Sequence, residues 1–173
     1  MLEVLITIVI LTTGLLGLAG LQARLQASEM EAYQRAQGII LLEDMANRIT
    51  VNRGSVSNYV TGASSPIGAG MTCPTSTATT KDKDLMEWCN TLQGASEVLG
   101  GNKVGAFIGG RGCVEDLGGG QYMVTVAWQG VGPVSAPPAS VACGQNLYNS
   151  GTTCTGDLCR RVLTTIVRIA TLS

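Results

Sequence analysis

The first part of the chain is apolar and uncharged. From Val4 to Leu21 no side chain carries a charge, which corresponds to about 27 Å of helix, close to the hydrocarbon thickness of a bilayer. The run is apolar around its whole circumference, so a domain of this size could hardly bury it as a core helix. A secretory signal segment is the other alternative, but the basic n-region is missing and the cleavage-like stretch at 19–23 is weak. The pattern predicts a membrane-spanning helix.

Downstream of Leu18 the apolar positions recur at steps of three and four, which is the period of one helix face. This apolar stripe comprises positions 18, 21, 25, 28, 32, 36, 39, 42, 46 and 49, and only Ser28 among them is polar. The charged residues that fall off the stripe are Arg24, Glu29, Glu31, Arg35, Glu43, Asp44 and Arg48. The pattern predicts that the helix continues to about Val51, giving about 50 residues and roughly 75 Å. We expect a spanning half at 1–22, an amphipathic half at 23–53 and a head at 54–173.

Three glycines interrupt the spanning half at intervals of three residues. Gly14, Gly17 and Gly20 leave room for a neighbouring helix to approach closely in a membrane. Glycine also has a low helix propensity, so the same positions are where the helix could locally unwind.

After Arg53 the composition changes, and a long segment rich in Gly, Ser and Thr predicts a loop. The segment KDKDLMEWCNTL then has Leu85, Trp88, Cys89 and Leu92 on one helical face, with Asp82 or Asp84 placed to cap its start. Because Cys73 lies in the loop and Cys89 on the inner helix face, we predict a Cys73–Cys89 disulfide that pins the loop to the helix. The loop and this helix occupy 54–110.

Alternating patterns predict antiparallel strands over 111–173. A strand around Cys113, a turn at Gly118–Gly120 and a strand with Tyr122, Val124, Val126 and Trp128 on one face form a hairpin. The segment RRVLTTIVRIA adds a strand with Leu163, Thr165, Val167 and Ile169 on one face. About three to four strands packed on an amphipathic helix define an α+β head.

The six cysteines all follow the apolar run. An even number in the part outside a membrane favours disulfides in an oxidising compartment over a cysteine-only metal site. The four cysteines left after Cys73–Cys89 allow three connectivities. The first and third strands should start at the same end of the sheet, so we favour Cys113–Cys159 and Cys143–Cys154.

Composition argues against several functional classes. Eleven basic and 12 acidic residues give a net charge of -1, so nothing in the total charge favours nucleic acid. Histidine is absent, which removes the His-dependent catalytic triads, and no phosphate-binding or nucleophile motif is present. We expect no enzyme activity, no cofactor and no metal. Weaker candidates are a calcium site at Asp82, Asp84 and Glu87 and a basic spot for DNA or a partner at Arg111, Arg160 and Arg161. Trp88 and Trp128 are expected in the core.

The opening MLEVLITIVILTTGLLGLAGLQ is similar to the N-terminal signature of type IV pilins. Together with AYQRAQGIILLEDMANRITVNR, DLMEWCNTL and VTVAWQG, it resembles the type IV pilus modification protein (PilV) family of minor pilins. Relative to this family we expect the chain to begin just inside the usual mature N-terminus. The resemblance implies a type IV pilin fold and a structural subunit that helps to prime pilus assembly, for twitching motility and adhesion.

The resemblance also implies a role for Glu3. In pilins the matching glutamate is thought to neutralise the N-terminal ammonium of a neighbouring subunit as a new subunit enters the filament. An unpaired carboxylate in hydrocarbon is costly, so a partner charge at the same depth would make docking favourable and specific in register. The alternative is that Glu3 lies among the headgroups, where the helix dipole favours an anion.

The partners implied by the resemblance form a hetero-oligomer. They are other minor pilins, the major pilin, the assembly platform and a large tip adhesin, with the inner membrane before assembly and the pilus tip afterwards. Two rival interpretations remain open. A pseudopilin of a type II secretion system would share the N-terminal helix, and a membrane-anchored periplasmic binding module or hydrolase would use it only as a tether.

Overall fold

The protein is described from a computed structural model that covers residues 2–95, 98–100, 102–103, 105 and 108–170. Its helices are α1 (Leu2–Val51), a 3-10 helix (Arg53–Tyr59) and α2 (Thr80–Leu92). The strands are β1 (Ile67–Gly68), β2 (Val98–Leu99), β3 (Asn102–Lys103), β4 (Arg111–Gly118), β5 (Gln121–Gln129) and β6 (Arg160–Arg168). The fold is α+β, as the sequence predicts.

The sheet has four antiparallel strands in the order β1-β4-β5-β6. The predicted hairpin is confirmed as β4 and β5, and the last predicted strand is confirmed as β6. Gly118, Gly119 and Gly120 at the tight turn all have positive φ, a region that glycine enters without steric cost. No sequence pattern indicated the two-residue strand β1, which pairs with the start of β4, or the β2–β3 hairpin.

The core lies between one face of the sheet and the helices α1 and α2. Tyr122, Val124, Val126 and Trp128 alternate toward this core along β5, as predicted. On α2 the predicted inner face is confirmed, since Trp88, Cys89 and Leu92 are fully buried. The indole of Trp88 lies against Gly112 of β4, where a Cβ atom would overlap the ring, so only glycine lets the helix approach this closely.

The cap of α2 differs from the prediction. Thr79 is the N-cap, and its hydroxyl oxygen accepts a hydrogen bond of 3.1 Å from the backbone N–H of Asp82. Asp84 lies in the first turns but is turned inward and is 9% exposed. A hydroxyl at the true N-cap satisfies a free N–H of the first turn, which leaves Asp84 available for contacts with α1.

The helix α1 is continuous to Val51, as predicted, but the head packs on a different face from the one predicted. The buried residues of α1 are Gln34, Gly38, Leu42, Met45 and Ile49. The predicted apolar stripe is therefore correct near its end, at 42, 46 and 49, and wrong between 25 and 39, where its residues are exposed. The face used instead carries Glu31, whose partners lie in the head, and hydropathy alone does not indicate such a contact.

Three disulfides connect the described cysteines. Cys73–Cys89 is confirmed, whereas the other pairs are Cys113–Cys143 and Cys154–Cys159, so the predicted Cys113–Cys159 and Cys143–Cys154 are wrong. The strand starts do lie at the same end of the sheet. However, Cys113 lies level with Thr125 of β5 and therefore with Thr164 of β6, roughly 16 Å along the strand direction from Cys159 and with β5 between them. This separation exceeds the roughly 7 Å between Cα atoms that a disulfide can bridge.

Candidate assembly surface on the N-terminal helix

Residues 2–22 of α1, the described part of the spanning half, are all exposed. An 18-residue window of this helix has a mean hydropathy of 2.4 and is 0% buried. By length and composition α1 is able to cross a membrane. Side chains such as Leu5, Leu11 and Leu16 are 62 to 72% exposed, so the isolated chain leaves this surface for lipid or for other helices.

Glu3 lies in the first turn of α1 and is the acidic residue of that turn. Its position lets the carboxylate interact favourably with the positive end of the helix dipole. The structure thus places Glu3 at the tip of the exposed apolar half, where a neighbouring chain can reach it. Both interpretations of Glu3 require this position, so the pairing with a second subunit stays a prediction.

Polar groups inside the apolar half are satisfied within the helix. The hydroxyl of Thr7 donates to the carbonyl of Val4 at 2.9 Å, that of Thr12 to Val9 at 2.9 Å and that of Thr13 to Ile10 at 2.9 Å. An unpaired hydroxyl would be costly in hydrocarbon. These bonds make the run compatible with a bilayer despite its three threonines.

The glycines of the apolar half lie within unbroken helix. A Cβ atom added at Gly14, Gly17 or Gly20 would meet nothing within 4 Å. No contact within the described part of the chain therefore requires glycine at these positions. Close approach of another helix and local unwinding both stay predictions.

The exposed part of the apolar stripe extends this surface toward the head. Leu18, Leu21 and Leu25 are 53 to 57% exposed, and Ile39 is 42% exposed. Between them lie the exposed small residues Ser28, Ala32 and Ala36, at the spacing of four that brings side chains to one helix face. The result is one apolar surface that runs from the helix N-terminus to the middle of the amphipathic half.

A polar cluster fixes α1 to the head at the other end. Arg48 donates to Asp44 at 3.0 Å, to Asp84 at 2.8 Å and to Glu87 at 2.7 Å. Tyr59 donates its hydroxyl hydrogen to the second oxygen of Asp84. Burial lowers the pKa of Arg48, but the hydrogen bonds to the carboxylates outweigh this and raise it above its usual value. Burial, together with the bond to Asp84, raises the pKa of Tyr59 to about 12.

A second ion pair joins the helix to the far edge of the sheet. Arg161 of β6 donates to Glu31 of α1 at 3.0 Å, and the Glu31 carboxylate also accepts from the N–H of Val131 at 2.8 Å. Together with the cluster at Arg48, this pair sets the direction in which α1 leaves the head. The sequence pattern placed Glu31 and Arg48 on the wet face, because their partners are distant in the chain.

The weaker candidates are engaged in other contacts. Asp82 pairs with Lys81, while Asp84 and Glu87 pair with Arg48; no group of His, Cys, Asp and Glu among the described residues could hold a metal. The basic spot is not formed, since Arg160 is buried against Asp157 and Arg111 stacks on Tyr148. Trp88 and Trp128 are core residues, as predicted.

Comparison with known proteins found no match. No family model, no curated protein and no solved structure matches this chain. What the fold defines is a small disulfide-linked α+β head carried on a long helix with an apolar N-terminal half.

Proposed function

We propose that the protein is a minor pilin of a type IV pilus, with the PilV-like role that its motifs suggest. The observation that carries the proposal is the continuous apolar surface of α1, from the first turn to Ile39, which the head leaves uncovered. A tether needs only a spanning segment. A filament subunit needs a longer apolar face, because its helix packs against other helices after it leaves the membrane.

The proposed mechanism depends on the charge of the Glu3 carboxylate and on its depth in the membrane. Before assembly the spanning half holds the chain in the inner membrane, with the head in the oxidising periplasm, where its disulfides persist. An ionised carboxylate inside hydrocarbon costs about 2.5 to 3.5 kcal/mol on insertion scales. Pairing Glu3 with the N-terminal ammonium of a neighbouring minor or major pilin offsets this cost and sets the helix register.

The fold supports the same role for the head. The two attachments of α1, at Arg48 and at Arg161, fix the head to the helix, so the position of the helix in a filament also fixes the head. In our proposal the head packs beside other minor pilins at or near the pilus tip, beneath a large adhesin. The protein is a structural subunit and carries out no reaction.

The test is a strain that carries only Glu3→Ala, with pili counted and twitching measured. Glu29→Ala is the matched control, since Glu29 is an exposed carboxylate on the amphipathic half of the same helix. We expect Glu3→Ala to reduce pili while the membrane level of the protein stays normal, and Glu29→Ala to leave both unchanged. Unchanged pili with Glu3→Ala would instead favour the tethered module.

A second experiment separates the classes of protein. Residues 2–21 are replaced by an unrelated membrane-spanning helix of the same length. A tethered binding module keeps its function after this exchange, whereas a pilin loses assembly because its packing surface is gone. A strain that loses secretion rather than pili would identify the pseudopilin alternative.

A further inference from the structure

The strand β6 forms an open edge of the sheet. Its nine residues pair with β5 on one side, and no described strand lies on the other. The strand is rich in β-branched residues (Val162, Thr164, Thr165, Ile166 and Val167). A long open edge of this composition is a template for another strand, and natural proteins normally protect or use such edges.

Two hydrogen bonds show which backbone groups point outward from this edge. Ile169 donates to the carbonyl of Gly120 at 2.8 Å, and Gly130 donates to that of Cys159 at 2.8 Å. Both pairs continue the β5–β6 register. Hydrogen-bonded pairs alternate in an antiparallel ladder, so the odd-numbered residues of β6 bond to β5. The N–H and C=O groups of Val162, Thr164, Ile166 and Arg168 therefore point away from the sheet.

A groove runs beside the first part of this edge. It has a volume of about 360 Å³ and lies between Ala32 and Arg35 of α1 and Trp128, Val162 and Leu163 of the sheet. A strand added to β6 would direct alternate side chains into the groove, where apolar groups fit against Ala32 and Leu163. From Val162 to Arg168 the open edge is about 20 Å long, at 3.3 Å per residue.

An exposed basic residue lies near each end of the open edge of β6. Arg35 is exposed beside the groove, and Arg168 is exposed at the far end of β6, whereas Glu31 is already bound by Arg161. An incoming segment with carboxylates at its ends would complement both arginines. The cross-strand neighbours of an added strand would then attract rather than repel.

A second copy of this chain does not suit the edge. Antiparallel pairing of two β6 strands places the two-fold axis perpendicular to the sheet, and α1 packs along that sheet. The two helices would then point in opposite directions, and both could not enter one membrane from the same side. The exclusion of a second copy rests on the membrane orientation of the proposed function.

From these observations we propose that the outward edge of β6 binds an extended segment of a different protein, which adds a strand to the sheet. The segment has apolar residues at alternate positions and a carboxylate near each end. Main-chain hydrogen bonds to Val162, Thr164 and Ile166 supply the attachment, and the groove supplies the side-chain selectivity.

The test uses the full chain in detergent micelles. The probe is an acetylated synthetic peptide, Asp-Val-Thr-Val-Thr-Val-Thr-Asp, and the control peptide has proline at its two central positions. Hydrogen exchange is followed residue by residue by NMR. We expect the probe to slow exchange about tenfold at Thr164 and Ile166 and to leave the neighbouring Leu163 and Thr165 unchanged, since these already bond to β5.

The variant Thr164→Pro removes an outward N–H without removing a β5–β6 bond, and we expect it to abolish the protection. Its matched control Thr164→Val keeps the N–H and should bind as the original chain does. If Thr164→Pro does not fold, the alternating protection of backbone amides in the unmodified chain still tests the proposal. Equal protection by both peptides, no protection, or protection that rises with protein concentration without peptide would overturn the proposal. Since no pilus is involved, failure here leaves the Glu3 test unaffected.

Discussion

The guanidinium of Arg48 lies 2.8 Å from the carboxylate of Asp84 and thereby joins α1 to α2 across 36 residues of sequence. The Asp84 side chain is only 12% exposed. Tyr59 binds the other oxygen of the same carboxylate, so one buried acid holds the helix, the 3-10 segment and α2 together. This contact is therefore one of the two polar attachments of the head to the helix, the other being the Arg161–Glu31 pair.

Replacing the cation should destabilise the head. In Arg48→Met the carboxylate of Asp84 remains in a largely buried position without its positive partner, and we expect a loss of roughly 2 to 4 kcal/mol in the free energy of unfolding. The measurement is urea unfolding of the detergent-solubilised chain with its disulfides intact. Arg35→Met, at an exposed position of the same helix, is the control and should stay within about 0.5 kcal/mol. Equal effects of the two variants would contradict this account.

Gln34 is fully buried on α1, and neither polar atom of its amide has a hydrogen-bond partner among the described residues. A buried polar group without a partner costs about 1 to 3 kcal/mol. We therefore expect Gln34→Met to raise the free energy of unfolding by about 1 kcal/mol or more. Gln26→Met, at an exposed position, should have little effect. A loss of stability in Gln34→Met would argue that the amide binds a water molecule.

Two buried tyrosines should make the protein sensitive to alkaline pH. Burial raises the pKa of both Tyr59 and Tyr148 to about 12, from the ordinary 10.0. The folded state therefore holds these protons more tightly than the unfolded state does. The resulting stability is fully present below pH 10 and is lost as the pH rises from 10 toward 12.

The measurement is the free energy of unfolding at intervals between about pH 9 and pH 12, with short incubation so that the disulfides survive. We expect Tyr59→Phe to reduce the loss of unfolding free energy at alkaline pH, because one of the two tyrosine hydroxyls responsible for it is removed. The exposed Tyr33 provides the control, and Tyr33→Phe should leave the slope unchanged. A slope that Tyr59→Phe does not alter would show that other groups control the alkaline transition.

The disulfide pairing predicts which of two disulfides contributes more to the stability of the fold. Cys113–Cys143 closes a separation of 30 residues and Cys154–Cys159 one of 5. In the chain-entropy account, removing the first pair by double alanine substitution should cost about 3 to 4 kcal/mol and removing the second about 2 kcal/mol. Peptide mapping of the oxidised chain by mass spectrometry checks the pairs directly. Finding a Cys113–Cys159 peptide would contradict the fold of this region.

Much of the architecture could be predicted because it depends on local patterns. The apolar run, the period of the α2 residues around Trp88 and the alternation along β5 each depend on neighbouring residues, so one segment at a time suffices. The Cys73–Cys89 pair followed from two such local predictions, since a loop cysteine preceded a helix whose inner face was clear.

The tertiary structure decided what depends on distant partners. Sequence determined that α1 is one long helix with an apolar half. Its periodicity selected the wrong face between 25 and 39, where Glu31 turns toward the head and pairs with Arg161. Likewise β4 and β6 start at one end of the sheet, as predicted, but the register placed Cys113 level with Thr164 and left β5 between it and Cys159. Hydropathy measures the affinity of a residue for water, whereas packing depends on which groups meet, and that is settled only when distant segments come together.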